Sequence, residues 1–424
     1  MPQRVTSPLR ALLSGASVAV VGDLLARTIS LILTVLVTRA LGPTLYGEYT
    51  SVLSSLALIA SIIGFGLDTW LLREGGRNPT KLLDYAASVL LTKFIAACCV
   101  VLGLLALGNR ISISVPFLIG CLGVLADTFL NTGFAALRAR QRNSMVALTQ
   151  FILPALLLML LLLLQSSARA VLSPLLLIAL QSAISWVVVL VLYWRGLHLL
   201  DGRRPQINLR VVAFGAWAFV IADLLANIYG QSATLQLRAA TGVLEVGLFR
   251  PALNILNVTY IMPAIVFSVS LPLLSSPTTS RPNYLRIIRL WVLGALGYGL
   301  LVGLLLNFGA PLIMTLVYDP RFAASAPILQ VLSPATLFKV SSFACTLVML
   351  SRNRQTLRIA LQTIAVLLNV VLGAWVIPSY GLRGAAWITL GTEIVLFLLY
   401  AGGALWALKT WKDPITLKQT STSG

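Results

Sequence analysis

The sequence predicts an all-α polytopic membrane protein, with twelve transmembrane helices in two pseudo-symmetric six-helix lobes. Three observations predict it. The first is composition. Of 424 residues, 58% are hydrophobic and only 10% charged, mean hydropathy is +0.94, and a soluble domain is about 25% charged. The second is a series of long apolar runs, and the third is an internal repeat that divides them in half. The same composition excludes a large soluble enzyme, a disordered chain, a collagen and a disulfide framework.

The apolar runs cover residues 13–38, 48–72, 84–108, 112–137, 146–164, 170–194, 211–237, 246–272, 288–308, 324–350, 358–378 and 384–408. Each approaches or exceeds the ~20 residues that one bilayer crossing needs. Barrel strands would be shorter and alternate, so the runs read as helices. The first follows Arg4 and Arg10, is too long for a signal-peptide core and closes on no clear small-residue cleavage site, so it reads as an uncleaved span. Polar or Gly/Pro clusters at 73–81, 138–143 and 276–283 separate later spans. The loop 195–210 reads as the linker between an N-terminal lobe (1–200) and a C-terminal lobe (201–424).

The formal net charge is +19. With the N-terminus inside, 21 of the 31 Lys and Arg fall in inner loops, 7 in outer segments, and Arg27, Lys93 and Lys339 within spans. That bias predicts a multi-pass protein of the cell (inner) membrane with both termini cytoplasmic. It also accounts for the positive charge through orientation and contact with membrane lipids. The short loops lack interleaved aromatics, so no nucleic-acid partner is expected. Cys98, Cys99, Cys121 and Cys345 all lie in apolar runs and His198 is the single histidine, so neither a metal site nor a cofactor is expected. Walker, H-E-x-x-H and G-x-S-x-G motifs are absent from the sequence.

Three short matches recur in order. Asp23-Leu24-Leu25-Ala26 returns as Asp223-Leu224-Leu225-Ala226, and Gly42-x4-Gly47-x-Tyr49 as Gly242-x4-Gly247-x-Phe249, both at offset 200. Arg138-x-Arg140-Gln141 returns as Arg352-x-Arg354-Gln355 at offset 214. Six spans per half keep both halves in one orientation, which predicts parallel repeats with a site between them.

Ionisable groups at bilayer depth cost a few kcal/mol and face a partner or a cavity. Asp23 and Arg27, four residues apart, share one face of span 1, and Ser30, Thr34 and Thr38 continue it. In span 7 the matching face carries Asp223, Asn227, Gln231, Thr234 and Arg238. At ~1.5 Å per residue, Asp23, Arg27, Lys93, Asp127, Asp223, Lys339 and Glu393 lie ~13–22 Å from the inner ends of their spans, near the midplane of a ~30 Å core. Asp68 is shallower. One reading is a central hydrated cavity in which Arg27, Lys93 and Lys339, with Asn227 and Gln231, bind an anionic head group. Asp23, Asp127, Asp223 and Glu393 would then supply coupling acids. The other reading is internal pairing, Asp23 with Arg27 and Lys93 with Asp127. Pro251, Pro263, Pro272 and Pro334 are kinks or hinges.

Thr38-Arg39-Ala40-Leu41-Gly42-Pro43-x-x-Tyr46-Gly47-x-Tyr49 resembles the signature of polysaccharide (O-antigen type) flippases. These belong to the multidrug/oligosaccharidyl-lipid/polysaccharide exporter superfamily. Glu245-Val246-Gly247-Leu248-Phe249, Leu316-Val317-Tyr318, and Ile377-Pro378-x-Tyr380-Gly381-x-x-Gly384-Ala385-Ala386 are similar to its later features. Pro251 and Asp319 depart from the pattern, where a small residue and Gly are usual. The resemblance implies a V-shaped transporter. It also implies a polyprenyl-pyrophosphate-linked oligosaccharide, flipped from the cytoplasmic to the outer leaflet for O-antigen or lipopolysaccharide assembly, with polysaccharide polymerase and glycosyltransferases as partners. A cation-coupled multidrug exporter is the competing carrier. A membrane polymerase or ligase would want a larger outer loop than this chain offers.

Overall fold

The computed structural model describes residues 8–64, 66–107, 114–166, 172–197, 205–275 and 280–410, with the side chains of 8–24 and a few others outside that description. The described residues hold helices and no strand. In order they are α1 (Pro8–Gly64), α2 (Leu67–Arg77), α3 (Leu82–Leu107), α4 (Val115–Ala139), α5 (Asn143–Ser166), α6 (Pro174–Leu197), α7 (Leu209–Thr241), α8 (Val243–Thr259), α9 (Ile261–Ser275), α10 (Arg281–Ile313), α11 (Ala326–Leu332), α12 (Ala335–Ser351) and α13 (Gln355–Lys409).

Two of these are double crossings. α1 has 57 residues and α13 has 55, and a continuous helix of that length would run ~80 Å or more, far beyond one bilayer core. Each breaks at a glycine with positive φ, Gly42 (φ 71°) and Gly381 (φ 53°), a conformation that costs other L-residues ~1–2 kcal/mol. Pro43 then starts the second half of α1, where its missing N–H is no loss. Eight described stretches are long and apolar enough to cross a membrane, and a ninth arises if Pro320–Leu332 and Ala335–Ser351, bent by 46°, form one crossing. Dividing α1 and α13 and adding α7 gives the twelve that the hydropathy predicts.

The chain forms two compact units, Met1–Gln231 and Ser232–Gly424. The division lies inside α7, about twenty residues beyond the end of the 195–210 linker, so the first two-thirds of α7 pack with the N-terminal unit. There Val212 and Ala216 of α7 join Trp70 and Leu71 of α2, Leu82 and Val89 of α3 and Ala135 of α4 in one core. A second core joins Ala126, Leu130 and Phe134 of α4 to Val146 of α5 and Val188 and Val189 of α6. In the C-terminal unit Tyr284 and Ile288 of α10, Leu347 and Val348 of α12 and Ala404 and Ala407 of α13 pack together.

The repeat is real in the backbone. Gly42 and Gly242, at offset 200, both have positive φ (71° and 101°) and both end a long helix before the next begins. The arginine turns match too, in a different register from the one the residue letters suggest. α4 closes with Gln141 N–H donating to Arg138 O (2.9 Å) and Arg142 N–H to Leu137 O (2.9 Å). α12 closes with Asn353 N–H donating to Leu350 O (3.0 Å) and Arg354 N–H to Met349 O (2.8 Å). Gln141 and Asn353 are left-handed (φ 59° and 56°), as this C-terminal turn requires. The structural offset is therefore 212, not 214: Arg140 and Arg142 answer to Arg352 and Arg354. In the second turn, aromatic faces seat the guanidiniums, Arg352 over Tyr284 at 4.2 Å and Arg354 over Trp406 at 4.6 Å.

The motif residues of the C-terminal half also meet. Glu245, in the first turn of α8, places its carboxylate against the break at Gly381, where an added Cβ would stand 2.9 Å from Oε2. In the N-terminal unit Gly66 has φ +58°, and a Cβ there would collide with the Phe219 carbonyl of α7. Gly66→Ala should therefore cost at least ~2 kcal/mol through strain and overpacking. Gly76→Ala, at a position with open space around it, should stay within ~1 kcal/mol of the parent. Melting temperatures of the purified variants in detergent check the contrast, and equal melting of the two would remove the role given to Gly66.

Candidate functional site

Among the described residues Lys93 is the most completely buried charged side chain, with no exposed surface. Its ammonium has three protons and the structure supplies a place for each. Nζ lies 2.7 and 2.8 Å from the two oxygens of Asp68, 3.1 Å from Thr128 O and 2.8 Å from Thr132 Oγ1. The Thr132 hydroxyl lies 2.9 Å from Asp68 Oδ1. Thus α2, α3 and α4 are tied at one point. The anticipated Lys93–Asp127 pair does not form, because the acid facing Lys93 comes from α2, twenty-five residues earlier. Asp68, which lies shallower along its span than the other intramembrane acids, supplies that partner. Asp223 of α7 accepts from Ser61 of α1 at 3.3 Å and stands close enough to feel the charges of Lys93 and Asp68.

In the C-terminal unit Lys339 of α12 donates to Glu393 Oε1 of α13 at 2.8 Å. Glu393 is buried (4% exposed), and the Lys339 ammonium also sits over the Tyr260 ring at 5.9 Å. A separation of 54 residues puts this pair beyond any i±3 or i±4 reading of the sequence. Two of the three bases expected near the midplane are therefore neutralised within their own units.

Residues 12–277 match the family profile described as "Polysaccharide biosynthesis protein". The chain belongs to that family. No curated protein matches it. Solved structures with the same fold include the lipid II flippase MurJ in an inward closed conformation, at 14% identity and a TM-score of 0.73, over 92% of this chain and 87% of that one. An inward-facing multidrug resistance MATE family transporter of the MOP superfamily is 16% identical with a TM-score of 0.65, over 91% of this chain and 94% of that one. The Vibrio cholerae MATE transporter VcmN, as a mutant, is 13% identical with a TM-score of 0.65, over 95% of this chain and 97% of that one.

Against that family fold, the polar faces of α1 and α7 are placed as follows. Arg27 is exposed on its unit, and the side chain of Asp23 lies outside the described residues. The Ser30, Thr34 and Thr38 hydroxyls donate back to the carbonyls four residues earlier, at 2.8, 2.8 and 2.6 Å. This satisfies them along the helix; Ser30 is exposed and Thr34 half-buried, whereas Thr38 is fully buried. On α7, Asn227 Nδ2 donates to Asp223 O at 3.0 Å, and Gln231 is half-buried. The α7 face does not stay together: Thr234 is fully buried in the second unit, where Ser232 donates to Asn369, and Asn369 in turn to Thr392 at 2.8 Å.

Asp127 is half-buried and lines a cavity of about 190 Å³ with Ala57, Ala60, Gly123, Gln181 and Ser182. No group of three or more metal-ligating side chains forms among the described residues.

Lys93→Met removes one member of a sealed pair and strands Asp68, at a cost of about 3 kcal/mol or more. Lys93→Met combined with Asp68→Leu removes both charges and should recover much of it. Detergent melting curves of the single and double variants measure this. A double variant no better than Lys93→Met would show that the pair does not hold α2 against α3.

Proposed function

We propose that this protein flips a polyprenyl-pyrophosphate-linked oligosaccharide from the cytoplasmic to the outer leaflet of the cell membrane, supplying polysaccharide assembly by alternating access. It acts as a carrier and not as an enzyme, uses no cofactor, and keeps both termini in the cytoplasm. The observation that carries the reading is Arg27: a guanidinium at mid-membrane depth, on a helix whose neighbouring turns are lined by hydroxyls, and exposed on its own unit in a chain of the polysaccharide biosynthesis family. Arg27 is exposed on its own unit, where its guanidinium can meet a pyrophosphate. Its planar fork suits two phosphate oxygens at once.

The glycan needs hydrogen-bond partners without charge, and Asn227 and Gln231 provide amides for it. Asp223, one turn from Asn227 on α7, tunes the field that the pyrophosphate meets. The apolar tail stays in lipid throughout. O-antigen or lipopolysaccharide precursors are substrates of the right chemistry, and a polysaccharide polymerase and glycosyltransferases are the partners such a carrier serves.

Arg27→Ala should abolish transfer of labelled lipid-linked sugar across proteoliposomes while the protein still inserts and elutes as a single species. Arg27→Lys, which keeps the charge and loses the fork, should retain partial activity. Wild-type transfer by a well-folded Arg27→Ala protein would refute the assignment. Transfer of a cationic drug in place of the lipid-linked sugar would favour the exporter.

A further inference from the structure

The arginine turns of the two units share a backbone and differ in what surrounds it. Arg138, Arg140 and Arg142 of the N-terminal unit are exposed, whereas Arg352, Arg354 and Arg358 around the C-terminal turn are half-buried. Arg354 and Arg358 lie four residues apart at the start of α13 and so share one face. The Arg354 guanidinium stands over the Trp406 ring, 4.6 Å from its centroid, and its Nη2 lies 3.5 Å from Thr410 Oγ1. Arg358 stands close enough to Tyr400 for the phenol to feel its charge. Its Nε is sealed from solvent, while its two Nη groups, which bond to no described residue, reach the surface. The second half of α13 thus forms a wall behind both arginines. Gly403 lets that wall close in, since an added Cβ there would stand 2.9 Å from Leu361 and 3.0 Å from Met349 Sδ.

The corner has a surplus of positive charge. Neither Arg354 nor Arg358 meets a carboxylate among the described residues. Lys409, three residues beyond Trp406, is exposed and adds a third cation. Arg354 is the N-cap residue of α13 and Arg358 stands one turn further on, at the helix end where cations are disfavoured. No acid of this unit offsets the pair, so an anion from outside the chain has the charge to do it. The N-terminal turn is different: no aromatic ring seats Arg138, Arg140 or Arg142.

We propose that this corner of the C-terminal unit binds an anionic phospholipid by its head-group phosphate. The outward Nη groups of Arg358, with the guanidinium of Arg354 beside them, supply the paired N–H donors that grip two phosphate oxygens. Trp406 is 47% exposed, an amphipathic ring of the kind that sits at head-group depth. The apolar run of α13 starts at Ile359, so the acyl chains of such a lipid lie along the span. Basic pockets between spans seat lipid phosphates in this way, and three cations without an acid reject the choline of a zwitterionic lipid. Arg27 belongs to the other unit, and binding here is independent of the transport reading.

The test is the melting temperature of the purified full chain in detergent with added phosphatidylglycerol, phosphatidylcholine of the same acyl chains, or inorganic phosphate. Phosphatidylglycerol should raise it by about 3 °C near saturation, and phosphatidylcholine should not. Arg354→Gln with Arg358→Gln should lose the shift. Arg140→Gln with Arg142→Gln, the same loss of charge at the exposed turn, should keep it. Trp406→Leu, which retains both charges and removes the ring, should need several-fold more lipid for half the shift. Equal shifts with the two lipids overturn the proposal. So does a full shift that persists in Arg354→Gln with Arg358→Gln, an unchanged half-point in Trp406→Leu, or a shift that inorganic phosphate reproduces in full.

Discussion

An ionised group in the middle of a bilayer core has no water to solvate it. Every such group in this protein must meet a partner of opposite sign, a set of dipoles or a wet space. That constraint organises both units. Lys93 satisfies it with one carboxylate and two oxygens drawn from α4, and so fixes the mutual placement of α2, α3 and α4. Lys339 satisfies it with Glu393 and the face of Tyr260, and so fixes α12 against the second half of α13. Association of helices in lipid has no hydrophobic drive of its own. A handful of sealed polar contacts, with close approach at small residues, therefore decides the packing.

The arrangement of spans was legible because it is local physics. Apolar length marks a helix, and a glycine that must take positive φ marks a break. Gly42 and Gly242 appear in the sequence as a repeat and in the structure as the same backbone event. The arginine turns show the limit of reading by letters. Arg138-x-Arg140-Gln141 aligns by identity at offset 214, yet the hydrogen bonds align at 212. What the fold conserves is the left-handed position, which Gln141 and Asn353 each tolerate; the letters around it drift.

Pairing was not legible, for an equally physical reason. Asp127 and Asp68 are both acids in or beside apolar runs, and only the rotation of α2, α3 and α4 about their axes selects which one faces Lys93. A single sequence carries little information on that rotation, since most of each helix surface here is apolar. Lys339 and Glu393 are separated by a whole intervening span. A local search at i±3 and i±4 reaches partners on one helix and has no reach for partners on different helices.

The duplicated architecture turns these separate contacts into one argument about specialisation. Two units that share glycine breaks and helix-end turns began with equivalent positions, so a difference at an equivalent position is a difference in chemistry rather than in fold. At one such position the C-terminal unit is closed by Tyr260, Lys339 and Glu393 and carries no net charge. The N-terminal unit has Asp127 fourteen residues before its own left-handed turn residue, as Lys339 is in the other unit, and Asp127 lines a largely apolar cavity of about 190 Å³. An internal lysine can never leave, so the closed unit is fixed in its neutral state.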